Sequence, residues 1–304
     1  MSRFLFSFKK QGIITPDQPE TSSDTGSSIP SFLPKAVSAY KNADISNEEY
    51  SKVLIPYNDP TGKILLVNDD KGRSCIEFEL VGVNHHTSDA HPKTITLMAK
   101  HIIRYVAFDA KEPNNPNPDR RDFGNNRWSV SNIRQWLNSN EAASEWFKPQ
   151  HDYDESPTTD KVSFTSYNGN AGVYAGDPGF LAGFSEEVLQ HLTVITNITA
   201  KPAADGGSSE TTEDKVFLPS WTEMGFGNNN GIDEGIALSK FTDNTSRIKT
   251  DLLGLYWLRS NETASATKVR IIADDGSAII DGSATSGEAD DCGFGGITPI
   301  IVIH

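Results

Sequence analysis

The stretch Asn126-Arg127-Trp128-Ser129-Val130-Ser131-Asn132-Ile133-Arg134-Gln135-Trp136-Leu137-Asn138 decides how the rest of the chain is read. Ser131 is a favourable N-cap, because its side-chain oxygen can accept a backbone N–H of the first turn. Ile133, Trp136 and Leu137 then fall at i, i+3 and i+4 and form one apolar stripe, so a helix is predicted through Asn138. A second helix is predicted from Ser185. Glu186 and Glu187 lie in its first turn, where carboxylates complement the helix dipole, and Val188, Leu189 and Leu192 face the core.

Around these helices the chain reads as short strands. Lys63 to Asn68 and Cys75 to Val83 are β-rich runs joined by Asn68-Asp69-Asp70-Lys71-Gly72, which predicts a hairpin. Thr94 to Ala99 and Ile102 to Phe108 follow as strands, and the Pro- and Asn-rich stretch Lys111 to Asp119 predicts an irregular loop. His151 to Gly183, rich in Gly, Asn, Asp and Tyr, predicts long surface loops with a strand or two.

Beyond the Gly/Ser/Thr/Glu stretch Ala203 to Glu213, Lys215 to Leu218 is a predicted strand and Ser220 to Met224 a helical turn. Tyr256 to Arg259, Lys268 to Ala273 and Ala278 to Ile280 are predicted strands, the last two joined by Asp274-Asp275-Gly276. Ile297 to Ile303, nearly all β-branched and apolar, predicts a central buried strand. Strands do not alternate regularly with helices, so the fold class expected is α+β, mostly β, and not parallel α/β.

The 304 residues are 36% apolar, enough for one large or two modest cores. No run approaches the roughly 18 apolar residues of a membrane span, and Phe4-Leu5-Phe6-Ser7-Phe8 is too short for a signal-peptide core, so a soluble chain without membrane insertion is expected. A net charge of −14 disfavours nucleic acid and anionic membrane surfaces as partners. Two cysteines, Cys75 and Cys292, supply neither a disulfide framework nor a Cys-rich zinc site.

Arg3 to Lys9 places Phe4, Phe6 and Phe8 at period 2, the pattern of a strand with one apolar face that needs a partner. Thr15 to Pro34 turns to Pro, Ser, Thr, Asp and Gly, a linker composition. Three parts are therefore expected: an N-terminal strand over 1–14, a Pro/Ser-rich linker over 15–50 and a folded domain over 51–304.

Four words in this order, Asn126-Arg127-Trp128-Ser129 leading into Ser131 to Asn138, Asp214-Lys215-Val216-Phe217-Leu218-Pro219-Ser220 with Glu223, Tyr256-Trp257-Leu258-Arg259-Ser260, and a closing Gly296-Ile297-Thr298-Pro299, carry a resemblance. The chain resembles a domain family of unknown function, found in Firmicute and gut bacteria and their phages, that looks like a relative of the C-type-lectin and formylglycine-generating-enzyme fold. The resemblance covers roughly Ile64 to His304. Thr298 stands where the family's closing word has arginine, so whatever that guanidinium holds is missing or supplied by another residue.

The resemblance implies a C-type-lectin-like mixed domain in which Trp128, Arg134, Trp136, Trp257 and Arg259 are scaffold and the long loops carry recognition. Phage members look like virion structural proteins. The same role implies attachment through Phe4, Phe6 and Phe8 to other virion subunits, a homo-oligomer, a place on the phage particle surface, and either a host-surface glycan or protein as a further partner or decoration of the capsid or tail. A bacterial ligand-binding domain outside a virion is the alternative. A cysteine-dependent oxidase of formylglycine-generating type is a third reading, but no catalytic constellation supports it and no enzyme is expected.

Tyr153, Tyr167, Asn168, Asn170, Tyr174, Trp221, Phe226 and Asn228-Asn229-Asn230 are the candidate ligand-binding residues, since rigid rings and amides suit adaptable binding surfaces. Plain loop packing is the competing reading. Glu112-Pro113-Asn114 spells the triplet with which calcium-dependent lectins contact mannose-type sugars, set against a solvated turn. His85, His86, Asp89 and His91 form an imidazole cluster suited to a transition metal, set against a polar surface loop. Asp274-Asp275-Gly276 and Glu288, Asp290 and Asp291 offer oxygens to calcium without the spacing of a dedicated loop. No cofactor is expected.

Overall fold

The computed structural model describes residues 51–163, 172–251, 254–278, 286–288 and 295–304. The N-terminal strand and linker, Phe4, Phe6 and Phe8, Tyr167, Asn168, Asn170, Ile280, Asp290, Asp291 and Cys292 lie outside them. In chain order the strands are β1 (Val53–Pro56), β2 (Val67–Asn68), β3 (Ser74–Val83), β4 (Ile95–Ala99), β5 (Arg104–Tyr105), β6 (Ile195–Ala200) and β7 (Ser209–Asp214). They continue as β8 (Val216–Phe217), β9 (Tyr256–Asn261), β10 (Lys268–Ile272), β11 (Ser286–Glu288), β12 (Gly296–Ile297) and β13 (Ile300–Ile303). Four short helices interrupt them: α1 (Pro118–Phe123), α2 (Asn132–Leu137), α3 (Glu186–His191) and α4 (Asn244–Arg247). The fold is α+β with sheet predominant.

The first sheet runs β1-β3-β4-β13-β8, with β2 paired to β3. β3 is buried on both faces, which places Glu77 and Glu79 inside. Lys100 reaches Glu77 at 2.8 Å, and Lys249 and Lys240 reach Glu79 at 2.9 Å each. Burial alone would raise the Glu79 carboxyl, but the two ammonium groups outweigh it and hold it below its ordinary range. The second sheet runs β11-β10-β9-β12-β5, and β6 with β7 forms a separate hairpin.

The C-terminal run expected as one strand is two strands in two sheets. β12 pairs with β5 and β9, whereas β13 lies between β4 and β8. Thr298-Pro299 makes the transfer, because proline has no N–H for a ladder and its carbonyl instead accepts the N–H of Ala99 at 2.9 Å. Just before β12, a Cβ on Gly295 would lie 1.6 Å from Trp257, so the backbone closes directly onto that indole.

The predicted caps are present. The Ser131 and Ser185 hydroxyl oxygens accept the N–H of Arg134 and Val188, each at 3.4 Å. Elsewhere side chains claim backbone groups that ladders were expected to use. Asp59 accepts the N–H of Thr61 (2.9 Å) and Ile64 (2.7 Å), leaving only Val67–Asn68 of the run from Lys63 as strand. Asp251 takes the N–H of Ile102 at 2.7 Å and the Trp257 indole takes the Val106 carbonyl at 2.8 Å, which reduces the run Ile102 to Phe108 to β5.

Within the loop predicted over Lys111 to Asp119, helix α1 begins at Pro118 with Asn117 as its cap. The stretch Ala203 to Glu213 contains most of β7, paired with β6 from Ile195↔Asp214 to Ala200↔Ser209. Gly206, Gly207 and Ser208 turn that hairpin with positive φ. Among the described residues, no helix is long and apolar enough to cross a membrane.

Candidate functional site

The first two sequence words meet at Asp214. The capped helix α2 aims Arg134 at its carboxylate, with Nε at 2.6 Å from Oδ1. The Trp128 indole (3.1 Å), Asn197 amide (3.0 Å) and Thr212 hydroxyl (2.6 Å) all donate to Oδ2. Asn138 closes the same joint: its Oδ1 accepts the N–H of Lys215 (2.8 Å) and Val216 (3.1 Å), and its amide donates to the Val216 carbonyl. These residues bind one part of the chain to another, which is how a buried carboxylate is tolerated.

The second and third words meet at Glu223 and Arg259, whose side chains are each 1% exposed. The guanidinium grips the carboxylate with two bonds, 2.6 Å to Oε2 and 2.9 Å to Oε1, and also donates to the carbonyls of Leu218 and Glu234. The Ser220 N–H adds a bond to Oε2 at 2.9 Å, and His86 Nε2 lies 3.0 Å from Oε1. Burial alone would raise the Glu223 carboxyl, but Arg259 and His86 outweigh it and hold it well below the usual carboxylate range.

An ionised Glu223 cannot donate, so His86 Nε2 carries the proton and Nδ1 faces the Thr96 hydroxyl at 3.1 Å. Behind this centre sits Glu234, also buried. It accepts the Ala200 N–H at 2.8 Å, the Asn229 amide at 3.3 Å and the Ser260 hydroxyl. Burial pushes its carboxyl above the ordinary value.

Above the Glu223–Arg259 floor lies an open groove of about 490 Å³, within the roughly 300–1,000 Å³ common for ligand sites. The loop carrying His85, His86 and Asp89 forms one wall, and the outward residues of β6 form the other. His85 Nε2 meets the Ile236 carbonyl at 3.0 Å and joins the first wall to the loop that carries Ile236. Burial and the neighbouring His86 push the His85 imidazole below its ordinary value.

The imidazole cluster expected from sequence is divided. His85 and His86 face the groove, while His91 stacks on His304 with ring centroids 3.6 Å apart. Among the described residues, no group of three or more His, Cys, Asp and Glu is placed to hold a metal ion.

Glu112-Pro113-Asn114 is a turn, closed by the Asn115 N–H on the Glu112 carbonyl at 2.8 Å, with Pro113 and Asn114 exposed; the Glu112 side chain is buried and bonded to the Asn115 amide. Nearby, the buried Asp109 accepts the N–H of Asn132 (2.9 Å) and Asn125 (3.0 Å). Burial first, and for Asp109 the charge of Glu112 next, push both carboxyls up, Glu112 to about 7.

The residues expected to bind a ligand are scattered. Tyr174 is fully buried, its hydroxyl 2.9 Å from the Ala107 carbonyl and its ring stacked on Trp146, so it belongs to the core. Asn229 is buried and donates to Glu234 and to the Asn261 carbonyl. Trp221 and Phe226 stack on each other at 4.5 Å, with Arg270 over the first and Arg247 over the second. Tyr153 is half-buried and stacks on His151.

The scaffold tryptophans are fully buried with each indole N–H bonded. Cys75 is also buried, and burial pushes its thiol up, away from the thiolate a nucleophile needs. The groove residues Val194, Ile198 and Ile236 were not anticipated. The alternation of Val194, Thr196 and Ile198 was a usable signal for the first two, and Ile236 stands in a segment without periodicity.

The model of one protein family, Domain of unknown function (DUF6273), matches residues 93–303. That is more than half of the chain, and the chain belongs to this family. β1, β2 and β3 precede the matched residues yet pair into the same sheet as β4 and β13, so the folded body begins before the family's boundary. No curated protein and no solved structure matches the chain.

Proposed function

We propose that this family member is a structural protein of a bacteriophage particle, a C-type-lectin-like body attached through its N-terminal segment and presenting its loops for host-surface binding. One observation carries the reading: charged side chains of the quoted sequence words pair with one another inside the molecule. Arg134 and Asp214 bind each other, as do Glu223 and Arg259, and three of these four are buried. Residues held this way fix a framework, which leaves recognition to loops on a rigid base. The net charge of −14 disfavours nucleic acid as the partner.

The test compares the full chain with a version beginning at Lys35, scoring association with purified particles and binding to host cells. The reading expects the shortened protein to stay folded and bind cells while losing the particle. A shortened protein that still joins the particle, with neither form binding cells, would replace it with a decoration role for the body itself.

A further inference from the structure

We infer that the groove of one copy receives the N-terminal stretch Arg3-Phe4-Leu5-Phe6-Ser7-Phe8-Lys9-Lys10 of a neighbouring copy. This rests on the reading that the N-terminal segment joins subunits, and it names the subunit that receives it.

The groove gathers exposed apolar surface. Six large hydrophobic residues are exposed among the described residues, and three of them line it: Val194 (42%), Ile198 (39%) and Ile236 (72%). Val194, just before β6, and Thr196 and Ile198 within it point outward while Ile195, Asn197 and Thr199 face in, so this edge exposes two aliphatic side chains on either side of a threonine. Three exposed aliphatic side chains gathered along one groove, and not scattered singly, favour an interaction surface there. The groove-lining residues include no Trp, Tyr or Phe. Branched aliphatic side chains suit another protein's apolar side chains better than they suit a sugar, which favours an aromatic platform.

Charge narrows the partner. Asp89 and Glu213 are exposed at the rim, whereas the charge of Glu223 is already met by Arg259 beneath. A mixed groove that sets three exposed aliphatic side chains beside an acidic rim complements an apolar segment with flanking cations. The chain's own first residues have that composition: Arg3, Lys9 and Lys10 flank the phenylalanines, and Asp17 is the first acidic residue in a chain of net charge −14. Phe4, Phe6 and Phe8 repeat at the same period of two as Val194, Thr196 and Ile198. The forty residues between Lys10 and Ser51 span at most roughly 145 Å, enough to reach a neighbour.

The experiment uses full-length protein in sedimentation over a concentration series, with circular dichroism to confirm folding. One variant carries Phe4→Ser, Phe6→Ser and Phe8→Ser; the other carries Ile236→Asp at the most exposed of the groove's large hydrophobic residues. Wild type should self-associate, each variant should associate at least about tenfold more weakly, and an equal mixture should recover association. Recovery is expected because one variant keeps the groove and the other the segment. Added salt should weaken the contact.

The inference is overturned if wild type stays monomeric, if either variant associates like wild type, or if the mixture does not recover. A wild type that is monomeric while a peptide of residues 1–16 binds only the triple-Phe variant would place the segment in its own groove instead. Particle association is scored separately. Self-association as expected without particle binding sinks the attachment reading alone. Loss of particle binding in the triple-Phe variant, with Ile236→Asp normal in both assays, sinks this inference alone.

Discussion

The guanidinium of Arg134 lies 2.6 Å from the carboxylate of Asp214 across 80 residues of sequence. The same carboxylate accepts the Trp128 indole, so helix α2, the turn before it and the end of β7 are locked by one acceptor. A framework built this way depends on a few buried polar atoms whose removal strands several partners at once.

Asp214→Ala is the direct test of that dependence. It leaves the Trp128, Asn197 and Thr212 donors without their acceptor and the Arg134 charge unpaired, a loss on the order of 3–5 kcal/mol. Urea unfolding should show a lower midpoint with an unchanged slope. A loss under about 1 kcal/mol would mean that the joint is peripheral to stability.

Glu223 and Arg259 should behave as one unit. Glu223→Gln or Arg259→Met alone strands a buried partner and should cost about 3 kcal/mol or more, whereas the double variant should cost clearly less than the sum. The folded carboxyl is held well below the ordinary glutamate value of about 4.5. The stabilisation is therefore complete above about pH 5, begins to fall as pH drops through the unfolded value, and continues to fall toward the lower folded one. Unfolding free energy measured from pH 6 to pH 3 should decline less steeply in Glu223→Gln than in wild type. Equal slopes would remove Glu223 from the acid response.

What the sequence displayed and what it concealed follow one physical division. The caps at Ser131 and Ser185 were legible because the serine and the N–H it accepts are three residues apart. β7 was concealed because Ser209-Glu210-Thr211-Thr212-Glu213-Asp214 has no apolar period, and pairing with β6 makes it a strand. The run Ile102 to Phe108 looked like strand, but Asp251 and Trp257, about 150 residues away, take two of its backbone groups. Trp128 and Arg259 are buried and bonded to Asp214 and Glu223, partners that stand in other sequence words. The position of His86 over Glu223 was not legible, since 137 residues separate them.

Glu112 gives a pH response of opposite sign. Its carboxyl is pushed from 4.5 to about 7 by burial, so below about pH 4.5 it is protonated folded or unfolded and costs nothing. As pH rises the unfolded chain ionises first, and the cost is complete above about pH 7, at about 3 kcal/mol or less. Glu112→Gln keeps the shape and an acceptor for Asn115 while removing the charge. It should raise stability at pH 8, leave it nearly unchanged at pH 4, and flatten the profile between them; destabilisation at pH 8 would show that the ionised form is the one the fold wants.

Gly295 tests the closest packing in the second sheet. Alanine would set a methyl 1.6 Å from the Trp257 ring, and the ring is fixed by its bond to the Val106 carbonyl. Backbone at β12 must then move, at a cost of about 2 kcal/mol or more. Near-UV circular dichroism and thermal midpoint should both change; an unaltered midpoint would mean that the strand shifts freely.

Thr298 offers the reverse, a substitution expected to stabilise. It stands between β12 and β13, fully buried, and its hydroxyl has no hydrogen-bond partner among the described residues. Threonine leaves a polar atom at the sheet junction itself. Valine has nearly the same shape without the hydroxyl, so Thr298→Val removes an unpaired buried group while keeping the packing. The expected gain is about 1 kcal/mol in urea unfolding at neutral pH. A loss of similar size would show that the hydroxyl is bonded in solution, and the accounting of this junction would then need an acceptor or a water beside Oγ1.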